Sequence, residues 1–173
     1  MEPEFIDNFL GKKNFDELQS LLMGERMPWY YRPIIDYADD VNKFQFVHNF
    51  YENMTSFLFC EKLSPILQII EATAIIRIKA NLLTITPEIV ENTYHNDVAN
   101  YDYSGDKKEK LKNLTTAIFY VNTNNGYTKF EDGTKVESVA NRMVSFPGNL
   151  KHTGTSCTNK KTRVVINFNY IKR

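Results

Sequence analysis

TRVVINFNY, residues 162–170, is the most apolar strand-like run of the chain, and it opens with an arginine. In a β-strand successive side chains point to opposite faces. Val164, Ile166, Phe168 and Tyr170 then share one face, and Arg163, Val165, Asn167 and Asn169 share the other. The first set satisfies a core by itself. Asparagines on the remaining inward face therefore point to a pocket. An arginine heading such a strand costs too much to bury without an anionic partner. Its planar fork suits a carboxylate bidentately. The alternative is an arginine at a strand mouth reaching water.

Outward from this run, the texture is β from residue 73 onward. TAIIRIKANLL (73–83) is rich in β-branched residues and sets Arg77, Lys79 and Asn81 against Ile76, Ile78 and Ala80. LTTAIFYVN (114–122) reads as a strand, NNG (124–126) as a turn, and YTKFEDGTKV (127–136) as a hairpin around Asp132-Gly133. RMVSF (142–146) adds another strand. Short strands separated by close turns predict a sandwich or jelly roll. The first half reads helical. NFDELQSLLMG has Asn14 as N-cap, a Phe15/Leu18/Leu21/Leu22 stripe and Gly24 as stop. WYYRP (29–33) is expected to be extended, HNFYENMTSFLFCEKL (48–63) helical, and SPILQIIEA helical with Ser64 capping and Pro65 in the first turn. The expected fold is β-rich α+β, with residues 1–72 as mainly helical support packed on one sheet of a β core spanning 73–173. With no repeat, low-complexity tract or linker, 1–173 reads as one domain.

Bulk composition narrows the function. The 173 residues are 42% hydrophobic and 13% aromatic, enough for a packed core. Lysine plus arginine equals aspartate plus glutamate at 21 each. That balance offers no field for nucleic acid or an anionic membrane, so an anionic ligand must be caught by a placed cation. No run approaches the ~18 apolar residues of a membrane span, and the acidic MEPEF start does not resemble a secretory signal. Cys60 and Cys157 lie far apart and form no CxxC, which points to a reduced, cytoplasmic protein, or the host cytoplasm if phage-encoded. The sequence specifies no oligomeric state.

The chemistry-bearing stretch is TYHNDVANY (93–101). His95 and Asp97 stand two apart, on one face if the segment is extended. They are either half of a metal site or a surface His–Asp hydrogen bond. Only His48 and His152 remain as partners. His48, in the aromatic-rich first half, reads as a satisfied core or capping residue. His152 follows the Pro147-Gly148 turn and precedes Arg163 by eleven residues. His-x-Asp with a distant histidine is the facial arrangement of non-haem Fe(II) oxygenases, which leaves coordination positions open.

The ordered set YHND, NNGYTKF, FPGNLKH and RVVINFNY resembles the 2-oxoglutarate/Fe(II)-dependent oxygenase superfamily, nearest its small prolyl-hydroxylase-like members of bacterial and phage type. The resemblance covers residues 73–173 and implies a double-stranded β-helix. It implies His95, Asp97 and His152 as iron ligands and Arg163 as holder of the distal carboxylate of 2-oxoglutarate. Asn81 stands roughly where related enzymes use a tyrosine toward the co-substrate, although Arg77, Lys79 or Asn81 could instead face solvent at a sheet edge. Asn167 is a further co-substrate candidate, and Asn169 and Lys79 are substrate-pocket candidates. Gly126, Thr128 and Phe130 are read as structural parts of the hairpin. The implied reaction consumes 2-oxoglutarate and O2, with ascorbate as an optional reductant, yields succinate and CO2, and hydroxylates a C–H bond of a protein or peptide side chain or of a small amino-acid-type substrate. TITPEIVENT (84–93) and YDYSGDKKEKLKN (101–113) are candidate covers for the site. Two other readings stand beside this one: a zinc hydrolase on the same ligands, and a jelly-roll binding module without catalysis.

Overall fold

The structure, a computed structural model, describes residues 3–35, 43–97 and 114–172. The run expected to cover the site at 101–113 lies outside them. The strands are β1 (Glu4–Ile6), β2 (Tyr30–Arg32), β3 (Gln45–Glu52), β4 (Thr55–Ser56), β5 (Ala72–Thr84), β6 (Leu114–Tyr120), β7 (Tyr127–Phe130), β8 (Lys135–Glu137), β9 (Arg142–Pro147), β10 (His152–Gly154) and β11 (Thr162–Lys172). Helix α1 spans Lys12–Leu22, and a 3₁₀ turn at Cys60–Leu63 leads into helix α2 (Ser64–Ile69). Among the described residues, an antiparallel sheet of eight runs β1-β9-β6-β11-β5-β3-β2 with β4 on β3, and a sheet of three runs β10-β7-β8.

The alternation of β11 decides what lies on each side of the large sheet. Val164, Ile166, Phe168 and Tyr170 join Ile78, Ala80 and Phe119 in a core covered by Leu18 and Leu22 of α1, Leu63, and Ile66 of α2. Each valine, leucine, isoleucine or phenylalanine among them contributes about 1.5–3 kcal/mol on burial. Val165, on the other face, packs with Ile118, Tyr120, Phe130, Val136, Val144 and Phe146 between the two sheets. Register places Asn81 opposite Val165, Lys79 opposite Asn167 and Arg77 opposite Asn169. The polar side chains of both strands thus share the inter-sheet face.

The helix expected over 48–63 does not form. Gln45–Glu52 is a strand paired with β2 on one side and β5 on the other. Its Phe, Val and Tyr content suits a pleated surface, and Asn53 and Met54, with φ of 50° and 62°, make the tight turn into β4. Such a turn needs positive φ at both central residues. Residues 1–72 are therefore not the mainly helical support expected: among those described, β1–β4 join the large sheet, and only α1, α2 and the 3₁₀ turn are helical. In α1 the cap is Gly11 rather than Asn14, with no side-chain capping bond. In α2 the cap is Leu63, and Ser64 Oγ instead donates to the Glu61 carbonyl at 2.9 Å.

Candidate metal centre

After β5 the chain passes through isolated bridges at Ile85, Glu91 and His95, with a bend at 87–88, and is stitched to the segment around β10. Thr86 N–H donates to Cys157 O at 3.1 Å, Ser156 N–H to Val90 O at 3.0 Å, and Asn92 N–H to Gly154 O at 3.1 Å. The 84–93 segment is thereby pinned along its length. At its end His95 and His152 face each other as an antiparallel pair exchanging both backbone bonds, 3.0 and 3.1 Å. Their rings lie 4.8 Å apart between centroids. Asp97, two residues on where the chain begins to turn, lies on the same side, its Oδ1 3.7 Å from His95 Nε2.

His95, Asp97 and His152 each offer one ligand atom, all within 4.8 Å of one another. Nδ1 of His95 lies 3.1 Å from the Thr93 carbonyl and Nδ1 of His152 lies 3.4 Å from the Leu150 carbonyl. A backbone acceptor at Nδ1 fixes the tautomer that leaves Nε2 as the ligand atom. His152 stacks edge-on against Phe146 at 4.8 Å, which fixes its ring. Two imidazoles and one carboxylate on one side of a shared point fit an octahedral ion with open positions.

The Asp97 side chain is 3% exposed. Its Oδ1 lies 3.7 Å from His95 Nε2, 3.2 Å from Asn167 Nδ2 and 3.3 Å from Arg77 Nη2. Its Oδ2 accepts from Asn169 Nδ2 at 3.1 Å and from Asn167 at 3.3 Å. Burial pushes this carboxyl up, but the bond from His95 and the charges of Arg77, His152 and His95 outweigh it and hold the group well below the usual range. Asp97 is thus ionised and oriented. Asn169 also reaches Thr116 Oγ1 at 3.1 Å and accepts from Arg77 Nε at 3.2 Å. Expected on a substrate pocket, Asn169 instead sits fully buried behind Asp97 and off the cavity wall. Asn167 remains on that wall, and its Oδ1 is buried without a hydrogen-bond partner.

Beside the triad a cavity of about 500 Å³, including its open mouth, is walled by Lys79, Asn81, Leu83, Ile118, Thr128 and Arg163 among others. Lys79 and Asn81 therefore face the cavity and not a solvent edge. Arg163 is 3% exposed. Its Nε donates to Ser138 Oγ at 2.8 Å and its Nη2 to Thr128 Oγ1 at 3.3 Å. No carboxylate of the described residues pairs with it, and burial pushes its pKa down from the usual value. Tyr120 donates to the same Thr128 hydroxyl at 2.8 Å, and its ring centroid lies 5.7 Å from the guanidinium. Sequence reasoning missed Tyr120, Ser138 and the polar role of Thr128. The β6–β11 register, which sets Tyr120 opposite Val165, was the signal that would have turned Tyr120 inward. It also missed Arg77 as the partner of Asp97. His48 lies on the opposite, core side, buried, its ring nitrogens 2.9 Å from the Pro28 carbonyl and 3.0 Å from that of Leu58.

No protein-family model matches the chain, and no curated protein matches it in sequence. Solved structures do match in fold. A prolyl hydroxylase from Trichoplax adhaerens, in complex with a peptide fragment of the hypoxia inducible factor oxygen degradation domain, superposes with a TM-score of 0.64 at 13% identity, covering 98% of this chain and 83% of that one. A 2OG-Fe(II) oxygenase family oxidoreductase from Burkholderia pseudomallei gives 0.67 at 8% identity, covering 99% and 85%. HygX from Streptomyces hygroscopicus, with nickel and 2-oxoglutarate bound, gives 0.62 at 9%, covering 98% and 82%. With its antiparallel large sheet facing a three-stranded one across the triad, the chain has the jelly-roll fold of the 2-oxoglutarate/Fe(II) oxygenases.

Proposed function

We propose that residues 1–173 form one oxygenase domain that uses Fe(II), O2 and 2-oxoglutarate to hydroxylate a C–H bond, releasing succinate and CO2. The observation that carries this reading is Arg163. A guanidinium that is 3% exposed, bound among the described residues to two hydroxyls and no carboxylate, shares a cavity with a two-histidine, one-carboxylate cluster. A buried cation without a counter-charge is unfavourable by several kcal/mol. A bidentate carboxylate on a small ligand would relieve it. HygX, which carries nickel and 2-oxoglutarate in the same fold, is consistent with a metal and a dicarboxylate side by side.

In this reading His95 and His152 present Nε2, and Asp97, held in place by Asn167 and Asn169, presents Oδ1, 3.7 Å from His95 Nε2. When bound, iron would activate O2, the oxidant of the C–H bond, with 2-oxoglutarate giving up two electrons as it is cleaved to succinate and CO2. Arg163, steadied by Ser138 and Thr128, grips the far carboxylate of the co-substrate and so sets its reach into the cavity. Leu83, Ile118 and Val165 give apolar walls that exclude water beside it. Asn81 and Lys79 reach the same space from β5. Asn167 Oδ1, lacking a donor, offers an acceptor to whatever enters. A zinc hydrolase would need a general base, and Asp97 is the one carboxylate among the described residues on the cavity wall.

The substrate class is a protein or peptide side chain, or an amino-acid-type small molecule. It is supported by the fold shared with a prolyl hydroxylase solved with a peptide. Among the described residues no helix is long and apolar enough to cross a membrane. With Cys60 and Cys157 both free thiols, we place the enzyme in the cytoplasm. The test is an anaerobic titration with Fe(II) and 2-oxoglutarate, read by the visible metal-to-ligand charge-transfer band, with His152→Ala alongside. A band in the intact protein that is lost in the variant is expected. No band in the intact protein overturns the reading.

A further inference from the structure

Arg77 and a metal ion would compete for the same oxygen. Asp97 Oδ1 lies 3.7 Å from His95 Nε2, and Arg77 Nη2 stands 3.3 Å from the same oxygen. The arginine side chain is only 11% exposed, so water screens it weakly. Its Nε is fixed on Asn169 Oδ1 at 3.2 Å, which aims the guanidinium at the carboxylate. Register explains the placement, because Asn169 of β11 is the cross-strand partner of Arg77 of β5.

We propose that Arg77 is a positioning residue that acts as an internal counter-ion at Asp97, standing in for the metal in the metal-free protein and lowering the triad's affinity for divalent ions. This rests on the reading of His95, Asp97 and His152 as ligands. Partners behind a metal ligand usually strengthen binding by orienting it, so that losing one weakens the site. Arg77 differs from such a partner in two ways. First, orientation is already supplied, since Asn167 and Asn169 between them hold both oxygens of Asp97. Second, Arg77 carries a full charge on the ligating oxygen itself, and two cations a few ångströms apart inside a protein repel strongly. The charge effect outweighs the orienting one. In the metal-free state the same contact is favourable, because it compensates a buried carboxylate. The arginine therefore stabilises the empty site at the expense of the loaded one.

The experiment is an anaerobic calorimetric titration of the full chain with Co(II), paired with thermal unfolding of the metal-free protein. The variants are Arg77→Gln, which keeps donors without charge, and Arg77→Lys, which keeps charge. The expected result is roughly tenfold or tighter Co(II) binding in Arg77→Gln, with a lower melting temperature when metal-free, and near-native affinity in Arg77→Lys. Native protein that binds Co(II) while Arg77→Gln binds no tighter overturns this inference and leaves the oxygenase reading intact. Absence of Co(II) binding in both, with His152→Ala indistinguishable from them, overturns both readings. Should Arg77→Gln not fold without metal, its folding in the presence of Co(II) supports the inference, and failure to fold even then overturns it.

Discussion

Replacing Arg163 with methionine should strengthen the fold and weaken co-substrate binding together. Arg163 is 3% exposed, makes two bonds to hydroxyls and meets no carboxylate of the described residues. Hydrogen bonds from a charged donor contribute about 1.5–3 kcal/mol each, while desolvating an ion carries a penalty of several kcal/mol. Methionine of similar length removes that penalty and fills the volume beside Val165. Thr128 keeps its bond from Tyr120, and Ser138 can turn its hydroxyl elsewhere. Exchanging buried charge for apolar volume is neutral to stabilising by about 1–4 kcal/mol. At roughly 3 °C per kcal/mol for a chain of this length, the metal-free melting temperature should rise by about 3 °C or more. Truncating one partner of a buried charge pair costs about 2–5 kcal/mol of binding, so the apparent Kd for 2-oxoglutarate should rise by roughly thirtyfold or more. The assays are thermal unfolding without ligand and a 2-oxoglutarate titration with Mn(II) present. A variant that melts lower and binds 2-oxoglutarate normally would show that the arginine is structural, and the reasoning would fail.

Other perturbations follow from the same geometry. A Cβ on Gly126 would lie 2.7 Å from Arg163 Cδ and 2.6 Å from the Ser156 carbonyl, so Gly126→Ala should lose about 1–3 kcal/mol of stability and several-fold in 2-oxoglutarate affinity, both measurable in the two assays above. Asn167→Ala removes a donor shared by both Asp97 oxygens and leaves Arg77 on Asn169; Co(II) binding should weaken roughly tenfold, opposite in sign to Arg77→Gln. Hydrogen bonds from Tyr127 and then Lys129 hold Glu91 below its ordinary value of 4.5. A carboxyl with a depressed folded pKa stabilises fully above its unfolded value and loses that contribution as the pH falls through its folded one. Acid titration below about pH 4.5 should therefore loosen the 85–95 segment in native protein, by no more than about 1 kcal/mol for so exposed a group, and hydrogen exchange of that segment should show no such step in Glu91→Gln.

The parts of the fold that could be read from sequence were those whose burial differs between faces. In β11 the set Val164, Ile166, Phe168 and Tyr170 is wholly apolar, so alternation declares both the strand and its inner face. The 48–63 region was misread because its apolar residues satisfy a helical spacing, while the feature that decides the issue is the left-handed turn at Asn53-Met54. That turn is a property of backbone and pairing, and the residue types signal it only faintly. The three-residue β10 has too short a period to detect, yet it brings His152 against His95. The candidate ligands and Arg163 stood out because His-x-Asp and a cation heading an apolar strand are local patterns. The work of Asn169 and Arg77 is not local. It depends on a register in which residues 92 apart become neighbours, and no single strand records that.

The charges around the site argue for a definite order of assembly. Without ligands, the triad's carboxylate is already matched by Arg77, while Arg163 faces the cavity as a further cation with no carboxylate of the described residues beside it. A divalent ion entering first meets the guanidinium of Arg77 at its carboxylate ligand and that of Arg163 across the cavity. A dicarboxylate entering first meets Arg163, but its other end lacks the metal it would chelate. Together the two ligands neutralise each other and the arginine, so each should bind more tightly with the other present. Linkage makes that gain equal in both directions. Titrating Co(II) with and without 2-oxoglutarate, and 2-oxoglutarate with and without Co(II), should return the same factor of about tenfold or more. In Arg163→Met the factor should shrink, because the dianion then lacks its anchor. In Arg77→Gln it should also shrink, for the opposite reason: the metal no longer needs the dianion to offset a neighbouring cation. A coupling untouched by either substitution would mean that the two arginines do not set the electrostatics of this site.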